Sequence, residues 1–453
     1  MAGTNPRTRG SLKIRADRID FTGRVYLPVQ QFVQVEWVGS VLLFVAAVAA
    51  LIWANSPWAE GYHHLWDTYL TLDLGVLHVE ETLHHWINDG LMAVFFFVVG
   101  LEIKRELLHG NLSDPRQASL PALAALGGMV VPALVYFALN RSGPEAAGWG
   151  IPMATDIAFA LGVLGLLGRR LPSQLRVFLL ALAIVDDLGA ILVIAVFYTS
   201  GISLEALAYG AGLIGVLLVM RWAGVRSVMA YAFVGFFFWV AILESGIHAT
   251  IAGVILGALT PSRPYVDPDE YEELAPGLVE RYQEARDRGD HHEAEAVLGM
   301  LEELSAGTEA PLERMERKFH PFSAYVVLPV FALANSGVEL SGEAIAAAMA
   351  SSVSLGIAGG LIVGKLVGVL LASWLAVVTG LAVLPPGVRW VHVAGTGLLA
   401  GIGFTVALFI TQLAFTDPVL VDQGKIGILG ASILAGVVGY LFLRLSPATG
   451  ESA

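Results

Sequence analysis

The chain has 453 residues, of which 56% are hydrophobic and only 14% are charged. Ordinary soluble domains carry about 25% charged residues, so the composition indicates a polytopic membrane protein and argues against a soluble enzyme. The sequence contains no cysteine, which excludes disulfides, thiolate metal sites and cysteine nucleophiles. Its formal net charge of −13 argues against nucleic acid as a partner.

Hydropathy predicts an all-α fold of membrane-spanning helices. Each helix needs about 20 mostly apolar residues to cross roughly 30 Å of hydrocarbon. Twelve segments are candidates, and the eighth is short enough to be a tilted or partly re-entrant piece. They lie near residues 37–54, 88–107, 118–139, 151–168, 175–199, 204–221, 227–243, 247–260, 322–338, 353–379, 390–415 and 425–444.

The distribution of Lys and Arg supports this count. With twelve spans, the side that holds both termini carries 23 basic residues and the opposite side carries 2. Basic loops favour the cytoplasm, so we expect both the 1–36 tail and the 446–453 tail to be cytoplasmic. The first apolar run begins near residue 37, behind a basic tail, and no cleavage site follows it. The first helix is therefore expected to direct membrane insertion without a cleaved signal peptide.

The external loop at 55–86 predicts a small β-hairpin. Leu70, Leu72 and Leu74 alternate with polar residues, and Gly75 separates them from a second alternating run. This period of two is typical of strands, and the hairpin is expected at about 68–82. Because an isolated hairpin is marginal in water, we expect it to pair with another chain.

An acidic insert separates the eighth and ninth segments. Residues 262–320 hold 16 Asp/Glu against 7 Lys/Arg. Helical spacing of its apolar residues predicts one or two amphipathic cytoplasmic helices in a domain at 261–320, punctuated by Pro276, Gly289 and Gly307. The insert is either a solvated tether or a regulatory element.

Four charged residues lie well inside the apolar segments, namely Asp156, Asp186, Asp187 and Lys365. Each costs roughly 2.5–3.5 kcal/mol on insertion scales, so a functional role is favoured over packing alone. Adjacent carboxylates on one helix point about 100° apart, and their coupling holds one proton to higher pH. Exchange of protons for a cation requires this behaviour. A buried Lys365 needs an acid nearby, and Asp186 or Asp187 is the expected partner.

Two of the apolar segments are expected to be interrupted. Pro152 precedes Thr155 and Asp156 in the fourth, and glycines between Gly395 and Gly403 precede Thr405 in the eleventh. Interrupted helices expose carbonyl oxygens and charged helix ends near the bilayer midplane. The two breaks therefore predict an ion site between crossing helices.

The chain contains five further recognisable stretches, INDGLMAVFFFVVGLEIKREL, ATDIAFALGVLGLLG, LALAIVDDLGAI, SGIHATIAGVILG and AGIGFTVALFI. With these motifs it resembles the NhaA-type sodium/proton antiporters, from about residue 36 to 445 apart from the insert. The resemblance implies a bacterial inner (plasma) membrane protein with twelve transmembrane helices in inverted repeats, two of them interrupted and crossed. It also implies electrogenic, pH-regulated export of Na⁺ or Li⁺ in exchange for H⁺, and a homodimer joined by the hairpin.

The resemblance also assigns the ion-binding residues. Asp187 and Asp156, with Thr155, would bind Na⁺ or Li⁺. Asp186 would pair with Lys365, and release of that pair would move protons.

A second group of residues matches family positions outside the ion site. Glu102 and Glu106 match acids at the cytoplasmic mouth, whereas His248 and Glu316 match positions linked to pH response. The long acidic insert departs from the family's compact members, which leaves any inherited pH set-point open.

Other functions are less consistent with the sequence. A sodium-coupled symporter of an organic anion would use the same crossed helices but needs a larger substrate cavity. An intramembrane aspartyl protease gives no reason for the second adjacent Asp or for Lys365, and a passive channel would trap its ion among these charges. No P-loop is present, so we expect a secondary transporter without a cofactor rather than an enzyme.

Overall fold

The computed structural model of the chain describes residues 37–73, 78–110, 112–199, 201–225 and 227–446. The predicted tail at 1–36, most of the tail at 446–453 and the tip of the predicted hairpin lie outside the described residues. The first helices in chain order are α1 (Trp37–Ala54), α2 (Ala59–Trp66), α3 (Leu83–Leu108), α4 (Pro115–Leu139), α5 (Ile157–Leu166), α6 (Ser173–Phe197), α7 (Leu204–Trp222), α8 (Val228–Leu243) and α9 (Thr250–Leu259).

The later helices begin with two that belong to the acidic insert. They are α10 (Pro268–Asp287), α11 (His291–Thr308), α12 (311–335), α13 (Gly342–Ala350), α14 (Ser352–Val378), α15 (Trp390–Leu399), α16 (Phe404–Ala414) and α17 (Pro418–Leu445). Helix α12 joins Pro311–Phe322 to Leu328–Asn335 through a π-helical turn. Shorter 3₁₀ segments are Pro144–Met153, which precedes α5, and Gly168–Arg170.

Each of the twelve predicted apolar segments contains a helix, but the helices differ in their ability to span a bilayer. Within the described ranges, six helices are long and apolar enough to cross a membrane, and counting each of three bent pairs as one span gives up to nine. Helices α8 and α9 are apolar but shorter, with 16 and 10 residues. The chain is thus a mostly helical, multi-pass membrane protein, and the number of twelve spans stays a prediction.

The predicted hairpin is present as an antiparallel pair, β1 (Tyr69–Asp73) and β2 (His78–Thr82). Tyr69 lies opposite Thr82, and Asp73 lies opposite His78. The backbone N–H of Leu83 donates to Thr68 O at 2.8 Å, which closes the base of the hairpin onto α3. We call this side of the molecule the hairpin end.

The acidic insert forms two helices, α10 and α11, that turn at Gly289. This glycine has φ of 74°, a left-handed conformation that glycine adopts without steric penalty. Pro276 lies inside α10 and Gly307 inside α11, so neither residue ends a helix as the sequence had suggested. The base of the insert is closed by Tyr265 N, which donates to Gly307 O at 2.9 Å. We call this side of the molecule the insert end.

Close helix packing surrounds the two interrupted segments. A Cβ at Gly360 would lie 2.6 Å from Pro152 Cβ, and one at Gly364 would lie 2.8 Å from Pro132 Cα. Real Cβ contacts are not this short, so α14 can approach the 3₁₀ segment and α4 only because it presents glycine there. The main apolar core extends from α1 to α17 around these contacts, and a smaller core joins α8 to α9.

Candidate ion site

Two interrupted segments cross at the centre of the molecule. The 3₁₀ segment Pro144–Met153 and α5 bend by 41° at their break, and α15 and α16 bend by 48°. Asp156 N donates to Ile402 O at 2.6 Å, so a backbone donor at one break pairs with a backbone acceptor at the other. The interruptions predicted near Thr155–Asp156 and between Gly395 and Thr405 are therefore confirmed.

The carboxylate of Asp156 caps two helices at once. Its Oδ1 accepts from Phe159 N at 3.0 Å, which caps α5. Its Oδ2 accepts from Thr405 N at 3.0 Å and from Thr405 Oγ1 at 2.6 Å, at the start of α16. Both helix N-termini carry partial positive charge and unpaired N–H groups, so they stabilise an ionised carboxylate that is 1% exposed.

A hydroxyl and an ammonium group donate to backbone carbonyls at the C-terminal ends of the helical segments that precede the breaks. Thr155 Oγ1 donates to Ala400 O at 2.9 Å, where α15 ends. Lys365 Nζ donates to Met153 O, where the 3₁₀ segment ends. Helix C-termini carry partial negative charge, so the ammonium group lies where that charge is favourable.

Lys365 also pairs with one of the two adjacent aspartates. Its Nζ lies 2.7 Å from Asp186 Oδ2, and both side chains are 0% exposed. The residues alone left Asp186 and Asp187 open as partners, the resemblance assigned Asp186, and the structure places Asp186 in the pair. Because both charges are removed from water, loss of either one leaves the other buried and uncompensated.

Two oxygens of the adjacent aspartates stand out in the part of the chain that the structure describes. Asp186 Oδ1 and Asp187 Oδ1 are both buried and have no hydrogen-bond partner within the part of the chain that the structure describes. Asp187 is 3% exposed. A buried carboxylate oxygen without a donor is costly, and a proton or a small cation would satisfy it. This chemistry fits hard, oxygen-binding cations.

A second charged cluster lies at the insert end. Arg105 on α3 bonds Glu316 on α12, and its Nη2 also lies 3.1 Å from Glu106 Oε1. Burial raises the pKa of the Glu316 carboxyl above its usual range, against the opposing charge of Arg105. Glu102 interacts electrostatically with this cluster. The structure thus brings together the predicted residues Glu102, Glu106 and Glu316.

His248 lies apart from that cluster, at the hairpin end. Its Nε2 is 2.7 Å from Tyr198 O, and it lines a cavity together with His85 and Asp89. Asp89 and Arg105 are 16 residues apart on α3, which corresponds to about 24 Å along a helix. The predicted pH-response residues therefore occupy two ends of the molecule.

The sequence interpretation missed two residues of these sites. Thr405 holds Asp156 through both its N–H and its hydroxyl group, yet it had been noted only as part of a flexible stretch. Arg105 joins two acids that had been singled out, Glu106 and Glu316. Its position three residues after Glu102 was a signal, since opposite charges three apart on a helix are neighbours.

Comparison with known proteins gives one consistent result. The family model described as Na⁺/H⁺ antiporter 1 matches residues 30–443. The chain is 48% identical over 427 residues to "Na(+)/H(+) antiporter NhaA 3" of Frankia alni, covering 93% of this chain and 90% of that protein.

Two further relatives are equally similar. The chain is 48% identical over 427 residues to "Na(+)/H(+) antiporter NhaA" of Oleidesulfovibrio alaskensis, covering 93% of this chain and 94% of the relative. It is 48% identical over 425 residues to the protein of the same name in Acidithiobacillus ferrooxidans, with 92% and 97% covered.

Proposed function

Because the chain belongs to the Na⁺/H⁺ antiporter 1 family, we propose that it exchanges sodium ions for protons across a membrane. It is a secondary transporter and not an enzyme. The observation that carries the proposal is the buried carboxylate pair, in which Asp186 and Asp187 each keep one oxygen without a hydrogen-bond partner among the described residues. Such oxygens bind either protons or a small cation, and competition between the two couples their movements.

Within this proposal the residues divide their roles. Asp187, Asp156 and Thr155 bind Na⁺ or Li⁺ as the transported ion. Asp186 releases Lys365 when it takes up a proton. Breaking and re-forming the pair therefore accompanies proton movement in each transport cycle. The two capped helix breaks supply backbone carbonyls beside the site, which agrees with the oxygen ligands that hard cations prefer.

Proteoliposomes test the exchange directly. The purified protein is reconstituted with a pH-sensitive dye inside, and an inward gradient of NaCl or LiCl should make the lumen alkaline by driving protons out. Choline chloride serves as the control salt. Proton movement that required an organic acid together with sodium would instead favour the symporter alternative, and no sodium-dependent proton movement in oriented, sealed vesicles would contradict the proposal.

The membrane arrangement extends this proposal. We propose twelve spans in inverted repeats, in a bacterial inner membrane, with the insert end and both termini in the cytoplasm. The excess of Lys and Arg on that side supports the orientation. Glu102, Glu106 and Glu316 would then surround the cytoplasmic mouth, where protonation of Glu316 weakens its bond to Arg105.

The hairpin is proposed to join two copies of the chain. Tyr69 and Leu70 on β1 are 66% and 54% exposed, and a two-stranded sheet alone is marginal in water. Deleting residues 68–82 should therefore yield monomers in mild detergent with exchange largely retained. The hydrogen bond from Leu83 N to Thr68 O already brings the two ends of the hairpin together. A link of two glycines can therefore replace the deleted residues. Size-exclusion chromatography with light scattering measures the mass, and dimers of unchanged stability would contradict this interface.

The acidic insert is proposed to adjust pH dependence without carrying ions. Its negative potential would raise local H⁺ and Na⁺ concentrations, an effect that decays over about 8 Å at physiological salt. Replacing residues 265–310 with a Gly/Ser linker should preserve exchange and shift the pH profile by a fraction of a unit at low salt. Addition of 0.5 M choline chloride should remove the shift, since salt screens the charge. Loss of exchange in a folded variant would show that the insert is part of the transport machinery.

A further inference from the structure

A closed ring of hydrogen bonds joins α3 to α12 at the hairpin end. Asn335 Nδ2 donates to Asn88 Oδ1 at 2.8 Å. His84 Nε2 lies 3.1 Å from Asn335 Oδ1, and His84 Nδ1 lies 3.4 Å from Asn88 Nδ2. Asn335 is 0% exposed and Asn88 is 9% exposed, so the ring is largely shielded from water.

A backbone carbonyl fixes the direction of every bond in this ring. Asn335 Nδ2 also donates to Phe331 O at 3.0 Å, which sets the orientation of its amide group. Asn335 Oδ1 must then accept from His84 Nε2–H. Asn88 Oδ1 accepts from Asn335, so Asn88 Nδ2 faces His84 Nδ1, which must be an acceptor. The ring is complete only with neutral His84 protonated on Nε2.

We propose that His84 is an acid-sensitive positioning residue that holds the outer ends of α3 and α12 together when it is neutral. Protonation places an N–H on Nδ1 against the N–H groups of Asn88. Turning the Asn88 amide over would restore that contact but would place its N–H groups against Asn335 Nδ2. No rearrangement of the two amides keeps all three bonds, so acid opens the ring.

The same two helices are fastened at their other end by Arg105 and Glu316. Helices α3 and α12 therefore have a polar fastening at each end, with ring contacts such as Phe97–Phe319 between them. Histidine is the side chain whose ordinary titration lies between pH 5 and 8. Burial and the nearby Lys425 disfavour a charged imidazole at His84, so the fastening at the hairpin end opens on the acid side of that range.

Two charged groups from other elements and one from its own helix interact with His84. They are Lys425 on α17, Asp67 after α2 and His85 on α3 itself. Lys425 and a charged His85 repel a positive charge on His84, whereas Asp67 attracts it. Helix α12 presents the uncharged Asn335, so the ring geometry and not an ion pair decides which form of His84 fits.

Thermal melting of the full-length protein tests the proposal. The melting temperature is followed by tryptophan fluorescence in one detergent at pH 7.5 and pH 5.5. The wild type should lose roughly 1–3 °C more on acidification than His84→Gln, because Gln keeps an uncharged donor that takes up no proton. His292→Gln, which changes an exposed histidine on α11, should behave as the wild type. Equal losses in wild type and His84→Gln would overturn the proposal.

Asn88→Asp gives a second, sign-reversing test. The carboxylate still accepts from Asn335 but now presents an acceptor to His84 Nδ1, so it favours protonated His84. Its melting temperature should fall less on acidification than that of the wild type, or rise. A larger fall than in the wild type would overturn the proposal.

Histidine nitrogen NMR reads the protonation state of His84 directly and does not depend on melting temperatures. The ¹⁵N-histidine spectrum of the wild type minus that of the Asn88→Asp protein should show a neutral, Nε2-protonated imidazole at pH 7.5. A signal from the Nδ1-protonated or charged form would overturn the ring assignment. None of these measurements follows ion exchange, so their outcome is independent of the proposed transport.

Discussion

Asp187→Asn is expected to abolish sodium-dependent proton movement in proteoliposomes. The change removes the negative charge of a side chain that is 3% exposed. Interactions with a buried charge contribute about 1.5–3 kcal/mol each, so losing one lowers cation affinity by roughly ten- to a hundredfold. Without an ionisable group, the side chain also cannot release a proton when the cation arrives. We therefore expect loss of coupled exchange and not merely weaker binding.

The structure makes Asp187→Asn a cleaner test than Asp156→Asn. Asp187 Oδ1 has no hydrogen-bond partner among the described residues, so the amide disturbs little. Asp156 accepts from N–H groups on both of its oxygens. Its asparagine variant would turn an NH₂ group toward one of those donors, and we expect lower stability together with lost exchange.

Two measurements separate these effects. Asp89→Asn is the matched control, because Asp89 also lies in an apolar segment but pairs with His85 at 3.0 Å, at the hairpin end. It should retain exchange. Isothermal titration with LiCl on the folded Asp187→Asn protein should show no cation-dependent proton release. Wild-type exchange rates in Asp187→Asn would refute the assignment of the ion site.

The need for a charged pair and the two helix breaks were predictable because the residues that require them stand out in the local sequence. A charge in an apolar segment needs a partner, which led from Lys365 to the aspartates. Pro152 and the glycines of the eleventh segment marked the breaks. The alternation of Leu70 and Leu72 likewise predicted a hairpin that the structure contains.

Contacts that depend on how distant segments cross were not predictable. Thr405 and Asp156 are 249 residues apart, and no local pattern selects that pairing. Arg105 and Glu316 are 211 residues apart with the insert between them. Pro276 misled the interpretation because proline usually disrupts helix interiors, whereas α10 continues through it.

The hairpin-end ring illustrates the same limit. His84 and His85 are adjacent in the sequence, and neighbours on a helix point about 100° apart, so the sequence alone does not say what each imidazole contacts. In the structure His84 faces Asn335 and His85 faces Asp89. The described residues contain no group of three or more His, Cys, Asp or Glu side chains placed to hold a metal ion. The role of each histidine depends on the side chain that its imidazole contacts. The packing of α3 against α12 determines that contact.

Lys365→Ala is expected to destabilise the protein as well as to slow exchange. Removing one partner of a buried ion pair typically costs about 3–5 kcal/mol, because the other charge stays buried without compensation. Here the change also removes the donor to Met153 O at the end of a helical segment. The loss should appear as a lower melting temperature at pH 7.5, and low pH should restore part of it by neutralising Asp186.

A double-mutant cycle distinguishes the ion pair from packing. Lys365→Met keeps most of the side-chain volume, and Asp186→Asn removes the opposing charge. If the pair at 2.7 Å contributes as the structure indicates, the double variant should be more stable than the sum of the two single changes predicts. Additive losses would contradict the pairing. Lys365 also balances the charge of the carboxylates that receive the ion. The double variant should therefore still fail to couple sodium to protons. Wild-type exchange in the double variant would show that the pair serves structure alone.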